Sequence, residues 1–513
     1  SDKFNEQNAV QTLLAMHLYG PDAWNEVKIA YVSNKIREEL GSGKYVSITD
    51  MEDEFGVFKW MSEYEIAHGK SDGQKNEFDK KLIKLGERYR ILKEIFQFKH
   101  LRIVPIPGDD NGKWIWPFAM ELREKDQKAN TLSMNLLTNL YAISQGEAGF
   151  SDAQQYLVPL KEYQWEELRK YEANNPHLDK LTQNHVDVEI SYNKFKVFDK
   201  IQSFYFLFGF LMLILFFFRT LVTPTLKSES IIKKINYIFL AGVIIVFVGH
   251  GSGLAMRWYI SGHAPWSNGY EAVIFIAWST ILAGLFFVKK NPAVIAATTL
   301  LAAMMLFVTE LNLLDPEITP LQPVLKSYWL MIHVAIITSS YGFLGISGIL
   351  GLVNMILYLL KNKNNKKRLQ MNIVELTSVS EMVLIIGLFM LTIGTFLGGV
   401  WANESWGRYW GWDPKETWAL VSMLVYAIII HLRFIPALSS RFLFNVLSLW
   451  GYSAILFTFF GVNFILVGLH SYAQGDGVAE WPTSVFVAIG IFGTFTALAT
   501  VKYLMDSSVK SKK

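Results

Sequence analysis

Histidine and tryptophan carry most of the chemistry-bearing signal in this sequence. Of its ten His, five lie in or between long apolar runs: His250, His263, His333, His431 and His470. His333 stands where one run begins, just after Tyr328-Trp329, and His470 stands where another stops. Between them, Trp401-Ala-Asn-Glu-Ser-Trp406-Gly-Arg408-Tyr-Trp410-Gly-Trp412-Asp413-Pro414-Lys415-Glu416-Thr-Trp418 packs five Trp into eighteen residues. A single interfacial His is ordinarily a hydrogen-bonded polar residue, and Trp is enriched at headgroup level in any membrane protein. A belt, however, scatters its Trp over many helix ends, whereas these share one loop with glycines between them. Wide, flat side chains grouped in this way suit a large planar ligand. Two neutral imidazoles beside such a floor are what bis-His ligation of haem iron requires. Asp413, Pro414 and Glu416 have a structural reading too, as N-cap, first helical residue and capping-box partner of the next helix.

Composition says what kind of chain must position these residues. Its 513 residues are 51% hydrophobic and 14% aromatic, with only 18% charged. Soluble domains average about 25% charge, so the balance points to lipid. A net charge of +3 does not argue for a nucleic-acid partner. The absence of Cys excludes disulfides, iron–sulfur clusters, thiolate zinc sites and a thiol nucleophile in this chain.

The chain has two unlike parts. Residues 1–200 are polar and read as a water-soluble, mainly helical domain. Helical spacing is expected over Asp22–Leu40 and Phe78–Phe98, a strand and turn over Ile103–Pro117, and a short strand over Val186–Tyr192. The chain opens at Ser without a signal peptide or initiating Met, which fits a processed or truncated start. From Ile201 onward, apolar runs recur near 201–218, 236–256, 270–288, 292–309, 331–360, 381–400, 417–431, 443–469 and 484–500. Most approach the ~20 residues a bilayer-spanning helix needs. The fold class is therefore a multispan α-helical membrane protein of about nine transmembrane helices with an N-terminal soluble domain. Residues 201–220 form the linking helix, 230–505 the multispan domain, and the Ala-rich 292–309 is expected inside the bundle.

Charge fixes an expected orientation. Lys and Arg collect on alternate connections, at 219–234, 289–290, 361–368, 433–441 and the tail, which the positive-inside rule makes cytoplasmic. The N-terminal domain, His263, His333, the Trp-rich loop and His470 then share the extracytoplasmic side of the cytoplasmic membrane. His431 lies thirteen residues beyond Trp418, about 20 Å along a helix, near the cytoplasmic leaflet. Arg257 and Arg408 sit at the outer face, where they either pair with ligand carboxylates or snorkel to headgroups. His263 bonds a ligand carboxylate or closes the Gly262–Pro265 turn. His250 is expected to hydrogen-bond within the bundle, and Tyr341 to pack on a neighbouring helix. A b-type electron-transfer subunit would hold its axial His deeper in the spans. A coupled transporter would need carboxylates near the midplane, whereas Glu310 and Glu381 fall at span ends.

Four motifs in order carry a family resemblance. Trp406-Gly-Arg408-Tyr-Trp410-Gly-Trp412-Asp413-Pro-Lys-Glu416-Thr-Trp418 resembles the WWD signature of haem-handling membrane proteins. Arg257-Trp-Tyr-Ile-Ser-Gly-His263-Ala-Pro-Trp266-Ser-Asn268-Gly-Tyr270-Glu271, His333-Val-Ala-Ile-Ile-Thr-Ser-Ser-Tyr341 and Gly468-Leu-His470-Ser-Tyr472-Ala widen the match. Residues 230–505 resemble the CcsA (ResC) half of system II cytochrome c synthases. The preceding soluble domain resembles the end of the CcsB (ResB) half in fused CcsB–CcsA proteins. The resemblance implies export of haem b and its covalent attachment to the Cys-x-x-Cys-His motif of apocytochrome c, a holocytochrome c synthase (haem lyase) activity. It carries the axial ligands over to His333 and His470 at the outer site and to His431 at an intramembrane site. Trp401, Trp406, Arg408, Trp410, Trp412, Asp413, Trp418, Arg257 and His263 are expected around the ligand. A thiol-reducing protein and a CcsB-like membrane portion that would partner His431 are expected as further components. A haem-delivery subunit without lyase activity is the alternative.

Overall fold

Apolar runs bounded by capping residues become helices along most of the chain. The computed structural model describes residues 24–511 apart from 41, 71–74, 98, 118, 121–125, 177–179, 223–224, 312–313, 320, 322–326 and 467–482. Of the first 23 residues it describes 3–4, 7–8, 12–13 and 16. The chain divides into two compact units, Ser1–Lys180 and Leu181–Lys513.

In the first unit, the Glu77–Phe96 helix starts at Asn76, which accepts from the Asp79 amide and closes a capping box. Its Leu82 and Leu85 are sealed against Val32, Ile36, Ile48 and Met51. The strand and turn expected over Ile103–Pro117 form a hairpin, with Val104 opposite Ile115 and Pro105 opposite Trp114. Two helices, Gln127–Gln145 and Phe150–Asn174, complete the unit's later part. Helical spacing over Asp22–Leu40 overreaches: Ala30–Tyr31 is a strand paired with Tyr45–Val46, and the helix runs only over Asn34–Leu40. Pairing with a neighbouring strand outweighs a weak local periodicity there.

The boundary between units lies near 180 rather than 200, because Gln183–Phe195 is a helix that packs on the Leu226–Ser261 helix. The strand expected over Val186–Tyr192 is therefore a correction. His185, Val188 and Tyr192, at helical spacing, are among its less exposed residues, and the His185 ring stacks on Tyr259 at 4.3 Å. Alternation over seven residues is also compatible with a helix when i, i+3 and i+7 face a partner.

Among the described residues of the second unit, nine helices are long and apolar enough to cross a membrane. Their starts are capped: Asn268 accepts from the Glu271 amide, Asn291 precedes Pro292 at the first helical position, and Ser440 accepts from the Leu443 amide. Gly262 and Gly407, in left-handed conformation, end the Leu226–Ser261 and Lys366–Trp406 helices. The helices Gly269–Phe287, Pro292–Thr309 and Tyr328–Leu360 are mostly buried, while few residues of Thr483–Asp506 are. Small Ala side chains let Pro292–Thr309 sit inside, as its sequence implied. Polar side chains tie the centre together. Ser347 bonds Ser380 at 2.8 Å, and Asn354 Nδ2 donates to the Asn445 side-chain oxygen at 2.7 Å. Such bonds hold helices together where apolar contact alone gives little preference over lipid. After Leu456 the helix widens into a π-helical segment, Phe457–Gly461, an irregularity common beside functional sites.

Candidate functional site

One cavity, about 220 Å³, opens at the bundle end that carries the Trp-rich loop. Four helix ends meet there: the starts of Gly269–Phe287, Tyr328–Leu360 and Pro414–His431, and the end of Lys366–Trp406. Phe459 and Asn463, from the π-helical segment and the turn beyond it, add to the wall. Of the residues singled out in the sequence, His263, His333, Tyr341, Trp401, Trp410 and Glu416 line this space. His470 lies outside the described residues.

His333 is held by helix backbone. Its Nδ1–H donates to the Gly394 carbonyl at 2.7 Å, which puts the ring proton on Nδ1 and the lone pair on Nε2, the tautomer a metal-binding imidazole uses. The ring lies against Gly398: a methyl group there would sit 2.6 Å from Cε1 and 2.9 Å from Nδ1. Gly394 does the same for Ile337, one turn on, where an added carbon would approach the Ile337 Cβ to 2.9 Å. The two glycines, one turn apart on the Lys366–Trp406 helix, form the groove that seats the His333 helix. Ser327, just before that helix, donates its hydroxyl to Glu404 near the end of the other.

The five Trp divide. Trp401 is fully buried in the cavity wall, with Trp406 edge-on behind it at 4.8 Å between ring centroids. Trp410 faces the cavity and meets Trp412 edge-on at 5.8 Å. Trp412 is 69% exposed, and Trp418 packs on Phe457 at 4.0 Å away from the cavity. Of the five Trp expected as a floor, Trp401 and Trp410 line the cavity and the other three do not. The loop turns so sharply that Trp412 adopts φ 58°, a conformation bulky residues rarely take. Glu416 holds it, accepting from the Gly411 amide at 2.7 Å and the Asp413 amide at 3.3 Å. Asp413 caps the next helix, accepting from the Lys415 amide at 3.1 Å, so the capping-box reading of Asp413 and Glu416 is realised.

Arg257 departs from both of its expected roles. It is fully buried, with Nε on Glu271 at 2.7 Å, Nη1 on the Pro316 carbonyl at 2.8 Å and Nη2 on the Glu317 carbonyl at 3.0 Å. It neither reaches headgroups nor lines the cavity, because an acidic partner one helix away captures it. Arg408 lies 3.5 Å from Glu416 and over the Trp406 ring, outside the cavity lining. His263 both lines the cavity and sits in the expected turn, with its amide on the Ser261 hydroxyl at 3.2 Å. Tyr341, also in the lining, meets Phe459 edge-on. His250 is closed inside the bundle, 3.4 Å from the Tyr205 hydroxyl. His431 ends the Pro414–His431 helix at its far end; its side chain is exposed, and its Nδ1–H donates to the Ala427 carbonyl at 2.7 Å. Lys415, Trp266 and Asn463 are cavity residues that residue-by-residue reading missed. Trp266 and Lys415 stand inside the quoted motifs, while Asn463 is placed by the π-helical segment, for which the sequence carries no clear mark.

An apolar bundle with an aromatic-walled cavity and a pinned imidazole defines a multispan membrane protein with a ligand site at one end. Residues 266–470 match the family model described as cytochrome C assembly protein. NrfI of Wolinella succinogenes is 37% identical over 476 residues, covering 92% of this chain and 51% of NrfI. Two proteins named cytochrome c biogenesis protein CcsA are also similar. That of Prochlorococcus marinus strain MIT 9301 is 32% identical over 288 residues, 51% of this chain and 92% of CcsA. That of Pyropia yezoensis is 35% identical over 263 residues, 43% of this chain and 82% of CcsA. The chain belongs to the cytochrome c assembly family, the CcsA-type membrane proteins of cytochrome c biogenesis. It spans about half the length of NrfI, and the likeness to NrfI extends beyond the membrane unit into the first unit.

Proposed function

We propose that this chain is the haem-handling part of a fused CcsB–CcsA cytochrome c synthase, with the Trp-rich loop as its WWD segment. In this reading it spans the cytoplasmic membrane with the cavity on the extracytoplasmic side. Haem b reaches the cavity as substrate and is joined there to the Cys-x-x-Cys-His motif of apocytochrome c. The observation that carries the reading is the His333 imidazole, fixed by the Gly394 carbonyl at 2.7 Å beside a cavity walled by Trp401 and Trp410. These residues fit the group: an Nε2 lone pair for iron, and a mainly apolar, aromatic surround for a flat ring.

His333 serves as one axial ligand and His470 as the other. Trp401 and Trp410 exclude water and orient the ring, and Gly394 keeps the His333 proton away from the iron side. When bound, haem supplies two vinyl groups, each of which takes up one thiol as a thioether, the S–H adding across the C=C bond. The thiols come from the substrate, consistent with a chain that has no Cys. His431, exposed at the opposite end, serves as a loading ligand whose partner imidazole comes from a CcsB-like membrane portion.

The test is co-expression of the full-length protein with an apocytochrome in a host lacking its own maturation system, scored by covalent haem staining after denaturing electrophoresis. The wild type is expected to give stained cytochrome, and His333→Ala and His470→Ala none. Bound haem without stained cytochrome would reduce the protein to haem delivery, and normal staining in both variants would overturn the ligand assignment.

A further inference from the structure

Three cations of the quoted motifs are Arg257, Arg408 and Lys415, and two of them face a carboxylate within the chain. Arg257 holds Glu271 at 2.7 Å and two backbone carbonyls. Arg408 faces Glu416 at 3.5 Å. Lys415 differs. It lines the cavity, and its ammonium donates to a neutral acceptor, the Asn463 side-chain oxygen, at 2.5 Å. Among the described residues no carboxylate comes within ion-pair distance of its Nζ.

The neighbouring acids are occupied. Asp413 accepts from the Lys415 amide as the helix cap, and Glu416, itself in the cavity lining, accepts from the Gly411 and Asp413 amides through one oxygen and has Arg408 3.5 Å from the other. An ammonium has three donors, and the bond to Asn463 uses one. A charge held in a mainly apolar wall without a counter-ion is costly and is relieved when an anion arrives. The same wall carries the pinned imidazole of His333 and the rings of Trp401 and Trp410. A flat aromatic body bearing both a metal and an acidic group meets all of these.

We propose that Lys415 is the carboxylate-binding residue of the cavity, pairing with a propionate of the haem, with Asn463 holding the ammonium in place. This rests on the haem reading above and deepens it, by moving the carboxylate contact from the two arginines to Lys415. The pairing selects for the free acid and orients the ring, because one edge of haem carries charge and the opposite edge carries the vinyl groups. With the acidic edge on Lys415, the vinyl edge is turned away from it.

The experiment compares haem with its dimethyl ester, which keeps the iron, ring and vinyl groups but lacks the negative charges. Both are titrated spectroscopically into detergent-purified full-length protein, wild type, Lys415→Gln and Lys415→Arg. Lys415→Gln is expected to weaken haem about ten- to a hundredfold, the range of a lost charge-assisted hydrogen bond. It should leave ester binding unchanged, which also shows that the variant is folded. Lys415→Arg should recover most of the haem affinity. Equal weakening of haem and ester would assign Lys415 a structural role and overturn the proposal, as would unchanged haem binding in Lys415→Gln. If wild type binds haem with a His333-dependent spectrum but Lys415 has no effect, only this proposal fails. If wild type shows no His333-dependent binding, the haem reading itself fails.

Discussion

Replacing Gly398 by Ala tests how tightly the ligand imidazole is held. The added methyl would sit 2.6 Å from His333 Cε1 and 2.9 Å from Nδ1. Carbon contacts settle at about 3.5–4.0 Å, so the ring must retreat by roughly 1 Å. The Nδ1 bond to the Gly394 carbonyl, 2.7 Å long, would lengthen or bend with it. Forcing an extra methyl into a packed interface costs about 1–3 kcal/mol, while Gly to Ala within a helix returns about 1 kcal/mol. Net stability should therefore change by no more than about 2 kcal/mol. A functional ligand, by contrast, tolerates only about 0.5 Å of misplacement. We expect Gly398→Ala to fold and to lose low-spin haem, measured as the spectrum of purified protein. Gly493→Ala is the control, since nothing lies within 4 Å of its added carbon. A Gly398→Ala protein with the wild-type spectrum would refute the seating of His333 against this helix.

Four further outcomes are expected. Glu271→Ala strands the buried Arg257 charge and should destabilise the bundle by about 3–5 kcal/mol, read as denaturant or thermal unfolding in detergent; an unchanged midpoint would contradict it. Trp412→Gly removes a left-handed penalty of about 1–2 kcal/mol, so the Gly411 and Asp413 amides, both held by Glu416, should exchange no faster than in wild type. His431→Ala should leave purified protein without haem, whereas full loading would refute its role in uptake. In the first unit, the Ser47 amide holds the Asp50 carboxyl below its usual range. Burial pushes Asp79 up, but Lys70 and the Asn76 amide outweigh it and leave it low. Folded values below unfolded ones mean stability that is full above the ordinary carboxylate range and lost as pH falls from there through the lowered folded values. Hydrogen exchange of the Glu77–Phe96 helix should therefore accelerate on acidification towards pH 3, and Asp79→Asn should flatten that dependence.

The spans were readable because lipid demands long apolar helices with every backbone group paired internally. The Ala-rich 292–309 run was placed correctly in the interior for the same reason, since small side chains let neighbours close in. The cap at Asp413 was equally legible, being local chemistry over four residues. Short elements were less so. Val186–Tyr192 alternates in sequence yet is helical, because its partner is a helix face and not a strand edge. At the site, residue type pointed to His333, Trp401 and Trp410, but not to which way each charge turns. Arg257 is drawn inward by Glu271, fourteen residues later, and that pairing exists only once two helices are packed. Lys415 read as part of a capping motif, and its approach to Asn463 depends on the irregular turn after Leu456.

The most direct measurement is the electron paramagnetic resonance spectrum of oxidised, haem-loaded full-length protein, in wild type and in His333→Ala with and without added imidazole. We expect a low-spin, two-nitrogen signal in wild type, a high-spin signal in the variant, and recovery of the low-spin signal when imidazole fills the space the ring has left. A low-spin signal unchanged in His333→Ala would contradict haem ligation at this cavity.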